Sequence, residues 1–218
     1  MTMSTKLISM PVEQFESLLA SNSPAPGGGS VAALQGALGA ALVRMVAALT
    51  IDKPLYAEHQ ELLNGVLSSV EGFSRELMRL VDLDTLAFNG VTDALALPKD
   101  TEAQKAVRSE AMQNALKACT ETPYRVMEIT FEMLCLMRQM KGKYNMTAAS
   151  DFGVAAISLK AAVQGAWLNV LINTGGINDT TFVREHLDGA TALLSRTLTL
   201  ADEIYLSVTQ SLASRQGA

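Results

Sequence analysis

The sequence predicts an all-α fold: a mostly up-and-down bundle of long antiparallel helices, with one domain covering residues 1–218. Three observations favour this fold. The composition is 49% hydrophobic but only 5% aromatic, whereas strands are rich in aromatic and β-branched residues. No stretch alternates apolar and polar residues in the manner of a strand. The charged fraction of 18% is also too low for a disordered chain.

The predicted helices begin and end at capping residues and helix breakers. The segment SNSPAPGGG (21–29) separates the first two helices, and Pro98 ends the long third one. Asp52 is expected to cap the third helix, and either Asp100 or Thr101 the next, where Thr101 with Gln104 has the spacing of a capping box. Pro123 begins a further helix, and either Asn178 or Asp179 caps the last one. The predicted helices span about 11–20, 30–50, 52–97, 101–119, 123–142, 151–173 and 179–211.

Two of these helices carry almost no charge. Residues 31–49 are rich in glycine and alanine, with Arg44 as their only charged residue, and residues 152–173 contain only Lys160. Arg44 near the centre would make membrane insertion cost about 2.5–3.5 kcal/mol, so a buried helix of a soluble bundle is the better interpretation. Together the two helices exceed what one small bundle can hide, which predicts an obligate homodimer.

The charges and cysteines exclude several classes of function. A net charge of −5 without a basic stripe is not typical of a nucleic-acid-binding protein. Cys119 and Cys135 have neither a disulfide framework nor zinc spacing and indicate reduced thiols in a cytoplasmic protein. No histidine, cysteine and carboxylate cluster has metal-ligand spacing, so no metal is predicted. The N-terminus lacks the apolar run of a signal peptide.

A glycine-rich segment directly before the second helix is the first candidate site. Pro26-Gly27-Gly28-Gly29-Ser30 leaves the backbone bare, and the helix start offers free N–H groups and the positive end of the dipole. These features suit an anion or oxyanion. The segment has neither the P-loop ending nor the dinucleotide fingerprint. The alternative is a flexible turn with a close helix crossing.

Two acids in an apolar stretch are the second candidate. Asp82 and Asp84 are two residues apart, so on a helix they point to different sides and only one can face the interior. A buried carboxyl has a raised pKa, which suits a general acid or base; the alternative is two solvent-facing acids. Three further polar groups are candidates: Lys53 with Tyr56, Asn145 with Ser150 and Asp151, and Asn169 with Asn173. Their structural alternatives are, in the same order, a solvated surface pair, a simple N-cap and buried amides with structural partners.

These features follow one another as SPAPGGGSVAALQGALGAALVRMVAALT, Lys53-x-x-Tyr56, DLDTLAF, N-x-x-x-x-SD, GAWLNVLIN and IND. In this order, over about residues 8–210, the chain resembles the cyclodeaminase/cyclohydrolase family of folate enzymes. The resemblance implies an all-helical homodimer with a tetrahydrofolate derivative near the glycine-rich loop and no other cofactor. Pro54 departs from the family pattern, in which relatives often carry another basic residue, and this departure predicts weaker binding of the substrate's glutamate tail.

The resemblance implies one of two reactions at the carbon between N5 and N10 of tetrahydrofolate. We expect a methenyltetrahydrofolate cyclohydrolase, because LNVLIN and the long last helix resemble that branch. The alternatives are a formimidoyltetrahydrofolate cyclodeaminase that releases ammonia and a non-catalytic folate-binding or assembly protein. Asp84 or Asp151 is expected to move the proton, and Lys53 to assist by its charge. The expected substrate-binding residues are Pro26, Gly27, Gly28, Gly29, Ser30, Tyr56, Asn145, Ser150, Asn169 and Asn173.

Overall fold

A computed structural model describes residues 6–216, with side-chain environments described up to Ser214. Within this range the chain forms a bundle of α-helices without strands, which confirms the predicted all-α class. The helices are α1 (Val12–Leu19), α2 (Gly28–Ala48), α3 (Gln60–Ala96), α4 (Glu102–Met140), α5 (Ala149–Thr174) and α6 (Thr180–Gln216). Short 3₁₀ helices lie at Leu7–Ser9, Pro54–His59 and Met146–Ala148.

Helix α2 lies at the centre of the bundle and packs against α3 and, antiparallel, against α5. Small residues make the α2–α5 approach close. A Cβ on Gly39 would lie 2.9 Å from Cγ of Leu159, and one on Gly165 would lie 3.2 Å from Cβ of Ala32. The glycine and alanine content of the two uncharged helices therefore serves their mutual packing, because larger side chains would force the helix axes apart.

The predicted helix break before Pro123 is wrong, because α4 runs through it. A proline in a helix interior removes one N–H and leaves the carbonyl four residues earlier without its usual donor. Here that carbonyl belongs to Cys119, and Nδ2 of Asn173 on α5 donates to it at 2.8 Å. A neighbouring helix thus supplies the missing hydrogen bond, which no local sequence pattern reveals.

Two predicted helix starts also need correction. Asp52 does not cap the third helix: it has a positive φ of 61°, and the chain first forms the 3₁₀ helix Pro54–His59 before α3 begins. Neither Ser150 nor Asp151 is an N-cap. Instead Oδ1 of Asn145 accepts a hydrogen bond from the N–H of Thr147 at 3.2 Å, so the capped element is the 3₁₀ turn before α5.

The predicted caps of α4 and α6 are confirmed. Thr101 and Gln104 form the reciprocal capping box, and Oδ1 of Asp179 accepts from the N–H of Phe182 at 3.1 Å. Both caps are local in sequence, since their partners lie three residues apart. Such interactions depend little on the rest of the fold.

The outer sides of α2 and α5 expose apolar side chains. By length and hydropathy, α2 and the segment Met146–Thr174 would suffice to cross a membrane, and half of the α2 window is buried in the bundle. Exposed fractions reach 56% for Leu38 on α2 and 76% for Ile172 on α5. The exposed large apolar residues of the two helices, with the C-cap residue of α2, are Leu38, Met45, Leu49, Val154, Ile157, Leu168, Leu171 and Ile172. Apolar surface at this density marks an interaction site.

Candidate active site

The carboxyl group of Asp84 meets the first turn of α2. Its Oδ2 accepts a hydrogen bond from the hydroxyl of Ser30 at 2.9 Å. That hydroxyl is buried and also lies 3.0 Å from the carbonyl oxygen of Val81. Helix α3 therefore places a carboxyl group at the N-terminus of α2, where free N–H groups and the helix dipole favour negative charge.

Gly29 is the glycine that this arrangement requires. A Cβ at this position would lie 2.6 Å from Cγ of Asp84 and closer still to Oδ1, so only glycine lets the carboxyl approach the backbone. Gly28 is exposed, and a Cβ there would lie 3.4 Å from Nδ2 of Asn169, while one on Gly27 would meet nothing within 4 Å. The sequence predicted a close approach to the bare backbone of this segment. In the structure this approach occurs at Gly29, and the approaching group is the Asp84 carboxyl.

We expect Gly29→Ala to abolish most turnover, because the methyl group must displace the Asp84 carboxyl from the start of α2. A misplaced catalytic group typically reduces rate by on the order of 100-fold. The matched variant Gly28→Ala, with ordinary van der Waals space for its methyl, should keep most of the activity. Steady-state kinetics with circular dichroism to confirm folding would check this. Equal kinetics for the two variants would contradict the steric role of Gly29.

Burial sets the protonation of this site. It raises the pKa of the Asp84 carboxyl above its ordinary range, and the hydrogen bonds from Ser30 oppose this only in part. Burial, together with the nearby Asp84 charge, also raises the pKa of the Cys119 thiol to about 11. At neutral pH the thiol is therefore protonated and a poor nucleophile, whereas the carboxyl titrates nearer to neutrality, as suits proton transfer.

Asp82 lies on the other side of α3 and has a structural partner. Its Oδ1 accepts hydrogen bonds from the backbone N–H groups of Leu7 at 2.7 Å and Ile8 at 3.4 Å. It thereby holds the N-terminal 3₁₀ helix against α3. The two acids separate as their spacing predicted: Asp84 lies at the start of α2, whereas Asp82 contacts the N-terminal segment.

The two asparagines of α5 come to the same end of the bundle. Asn169 donates from Nδ2 to the carbonyl of Gly165 at 2.8 Å and lies beside Gly28. Asn173 donates to the carbonyl of Cys119, so its amide completes the backbone of α4. We call the region formed by Gly27–Ser30, Asp84, Asn169 and Asn173 the glycine-loop end. Cys119 belongs to it too, and sequence reasoning missed it because a lone cysteine carries no motif.

The other predicted site residues lie at the opposite end of α2, which we call the Lys53 end: Lys53, Tyr56, Asn145, Ser150 and Asp151. Here the Tyr56 hydroxyl accepts from the N–H of Met146 at 3.4 Å. Asn145 is buried and ties the loop to the end of α2, with its Nδ2 donating to the carbonyl of Leu49 at 3.2 Å. Lys53 is exposed and Asp151 half-buried.

The two ends are far apart within one chain. Helix α2 has 21 residues, and at 1.5 Å per residue its ends are separated by about 30 Å. A general acid or base must come within hydrogen-bond reach of its proton. In a single protomer, Asp84 and Lys53 therefore cannot act on the same reacting carbon.

The all-α bundle carries a half-buried carboxyl group that a serine holds at a helix start, an arrangement typical of a candidate acid–base site in an enzyme. Among the residues described, no group of three or more histidine, cysteine or acidic side chains is arranged to hold a metal ion. The chain belongs to the formiminotransferase-cyclodeaminase family, whose model matches residues 11–192.

Individual relatives agree with this assignment. The chain is 40% identical over 197 residues to a methenyltetrahydrofolate cyclohydrolase of Methylorubrum extorquens, covering 90% of this chain and 95% of the relative. It is 34% identical to the formimidoyltransferase-cyclodeaminase of Gallus gallus, covering 86% of this chain but only 35% of that longer protein. A crystal structure of formiminotetrahydrofolate cyclodeaminase from Thermotoga maritima superposes with a TM-score of 0.79 at 28% identity, covering 94% of this chain and 97% of the other.

Proposed function

We propose that this enzyme is a methenyltetrahydrofolate cyclohydrolase, which interconverts 5,10-methenyltetrahydrofolate and 10-formyltetrahydrofolate. The observation that carries the proposal is the Asp84 carboxyl, half-buried, hydrogen-bonded by Ser30 and with a raised pKa. The match to the Methylorubrum extorquens cyclohydrolase over nearly the full length of both chains supports the choice of reaction.

In the hydrolytic direction, the ionised Asp84 accepts a proton from a water molecule as the water oxygen bonds to the methenyl carbon. This gives a tetrahedral carbon that carries a hydroxyl group between N5 and N10. The bond from that carbon to N5 then breaks, its electron pair stays on N5, and the hydroxyl proton is transferred to N5 as the formyl C=O forms. Asp84 finally releases its proton to solvent, so one water is consumed and one proton is released.

A cyclodeaminase is the second candidate, supported by the structural match to the Thermotoga maritima enzyme. In that reaction N10 attacks the formimidoyl carbon on N5, and the tetrahedral intermediate expels ammonia to leave the methenyl bridge. The same carboxyl group would move the protons. The third candidate is a non-catalytic folate-binding or assembly protein. Such a protein would not need a half-buried carboxyl group beside the glycine-rich start of α2.

The deciding experiment mixes the purified protein separately with 5,10-methenyltetrahydrofolate and 5-formimidoyltetrahydrofolate and follows the methenyl absorbance against a buffer blank. A cyclohydrolase accelerates the loss of the methenyl band in the first mixture. A cyclodeaminase makes the band appear in the second and releases ammonia. Binding without a change in either rate would support the non-catalytic candidate and reject our proposal.

Neither reaction transfers electrons, so we propose that the enzyme needs no cofactor beyond its tetrahydrofolate substrate. We also propose that it acts in the cytoplasm. Cys119 and Cys135 are free thiols, a state that a reducing compartment maintains. Activity that survives a metal chelator unchanged would support the first of these two proposals.

We further propose that the enzyme works as a homodimer through the apolar outer sides of α2 and α5. In an isologous interface the same patch meets itself across a two-fold axis. If that axis crosses the helices near their middle, the partner's α2 runs antiparallel and its ends exchange places. The Lys53 end of one protomer then lies beside the glycine-loop end of its partner. This arrangement reunites the site residues that one protomer separates by about 30 Å.

We expect a light-scattering mass of twice the 23.2 kDa of one chain at micromolar concentration. Leu38→Asp should halve this mass, because Leu38 lies at the middle of α2 and a carboxylate there would have to be desolvated in the interface. Leu206→Asp is the matched control, since Leu206 is exposed to a similar degree but lies on α6. A mass of about 23 kDa for the wild type, or binding of the apolar surface to lipid vesicles instead, would contradict the homodimer.

A further inference from the structure

The hydroxyl group of Ser30 has more neighbouring oxygens than it has protons to donate. It lies 2.9 Å from Oδ2 of Asp84, 3.0 Å from the carbonyl oxygen of Val81 and 3.4 Å from the hydroxyl of Thr85. A serine hydroxyl carries one proton and two lone pairs. Ser30 can therefore donate to Asp84 or to Val81, but not to both at once. The direction of this proton decides whether the hydroxyl stabilises the ionised Asp84 carboxyl.

Thr85 has an unusual hydrogen-bond partner for a threonine inside a helix. Such threonines often turn the hydroxyl back to the carbonyl four residues earlier, as Thr130 does to Val126 at 2.7 Å. The carbonyl four residues before Thr85 is that of Val81, which lies beside the Ser30 hydroxyl instead. Among the hydrogen bonds of the described residues, the Thr85 hydroxyl has Ser30 as its only partner. Its own proton is therefore available to the Ser30 oxygen.

The three side chains can thus form one chain of hydrogen bonds. The Thr85 hydroxyl donates to Ser30, and Ser30 donates to the ionised carboxyl of Asp84. A hydroxyl that accepts a hydrogen bond becomes a stronger donor, because the bonds of a chain polarise one another. The stronger donor gains more from a charged acceptor than from a neutral carbonyl. Thr85 therefore favours donation from Ser30 to Asp84 over donation to Val81.

The groups that face Asp84 from the neighbouring elements are uncharged at neutral pH. Cys119 of α4 lies near enough for the Asp84 charge to raise its pKa, and it is a protonated thiol. Residues 28–43 of α2 and 161–174 of α5 contain no charged side chain. Asp82 faces the 3₁₀ helix Leu7–Ser9, which is also uncharged. The protonation of Asp84 therefore depends on burial and on the hydrogen bonds from Ser30.

We propose that Thr85 is a positioning residue of the acid–base site: its hydroxyl donates to Ser30 and directs the Ser30 proton onto the Asp84 carboxyl. The inference rests on the proposed function and extends it to a residue that acts through Ser30. When Asp84 accepts a proton from water, the protonated carboxyl donates to Ser30, and Ser30 turns its own proton to the carbonyl of Val81. Both protonation states of Asp84 are then hydrogen-bonded, and Thr85 favours the ionised one.

The test measures the pKa of Asp84 by carbon NMR of its carboxyl group, with Asp84→Asn to assign the signal, and again from the acidic limb of the pH–rate profile. Ser30→Ala should raise this pKa by about one unit, because the ionised form loses one hydrogen bond. Thr85→Val keeps the shape of threonine without the hydroxyl and should raise it by about 0.3–0.5 unit, because it weakens that bond without deleting it. Thr85→Ser keeps the hydroxyl and should titrate as the wild type does.

A double-variant cycle shows whether Thr85 acts through Ser30. In the Ser30→Ala background, Thr85→Val should cause no further shift. Thr92→Val, at an exposed position of the same helix, is the matched control and should leave the pKa of Asp84 unchanged. An unchanged pKa in Thr85→Val, or a full shift with the Ser30 hydroxyl absent, would overturn the inference. If the NMR shifts appear while neither folate substrate is turned over, the positioning of Asp84 stands and the proposed function fails.

Discussion

Replacing Asp84 with asparagine is expected to lower kcat by about 10²–10⁴-fold, the usual contribution of a general acid or base. Asparagine keeps the size of the side chain and can still accept the hydrogen bond from Ser30, so the start of α2 should stay in place. It cannot take a proton from water. The loss should therefore appear in kcat and in the pH profile, whereas KM should change little. Stopped-flow or steady-state methenyl absorbance measures both.

The pH dependence provides an independent check. Because burial raises the pKa of Asp84, the acidic limb of the wild-type rate profile should lie above the ordinary aspartate range, and the variant should lack this limb. The raised pKa also means that the ionised carboxyl costs stability. This destabilisation of the folded state is absent at pH values below the ordinary aspartate pKa, and it grows as the pH rises through the raised pKa of Asp84. At neutral pH the variant should thus be at least as stable as the wild type.

Asp82→Asn is the matched control, two residues away on the same helix. It weakens the hold on the N-terminal 3₁₀ helix and should lower the melting temperature while leaving kcat within a few-fold of wild type. If Asp84→Asn keeps the full rate and profile and Asp151→Asn abolishes turnover at unchanged affinity, then Asp151 is the proton-transfer group and our assignment is wrong.

Mixed dimers of two inactive variants are expected to recover activity. If Lys53 of one protomer completes the site of its partner, a dimer of one Asp84→Asn chain and one Lys53→Ala chain has one intact site and one doubly altered site. Random association makes half of the dimers mixed, so about a quarter of wild-type activity should return. Co-expression of the two variants, with purification through two different tags, isolates the mixed dimer for direct assay.

The control pairs Asp84→Asn with Gly29→Ala, which both alter the glycine-loop end. Every site in that mixed dimer carries one altered residue, so no activity should return. Absence of recovery for the Lys53→Ala pair as well would mean that the site lies within one protomer. The Lys53 end would then have a structural role, of the kind that buried Asn145 has through Thr50 and Leu49.

The sequence predicted the features that depend on neighbouring residues. The caps of α4 and α6 follow from partners three residues apart, and the all-α class follows from composition and periodicity. The glycine-rich segment was recognisable as a ligand-binding or close-packing feature because three consecutive glycines bare the backbone whatever surrounds them. The divergence of Asp82 and Asp84 followed from helix geometry alone.

Tertiary structure decided the features that depend on residues distant in the chain. Pro123 lies within α4 because Asn173, fifty residues later, donates to the carbonyl that the proline leaves free. Gly29 is the glycine that matters because Asp84 lies against it. The predicted site divides into two ends because α2 stands as a rigid helix between them. The sequence shows which polar residues a chain carries. The distances between them depend on how the helices pack, because side-chain contacts across a bundle leave no local periodicity in the sequence.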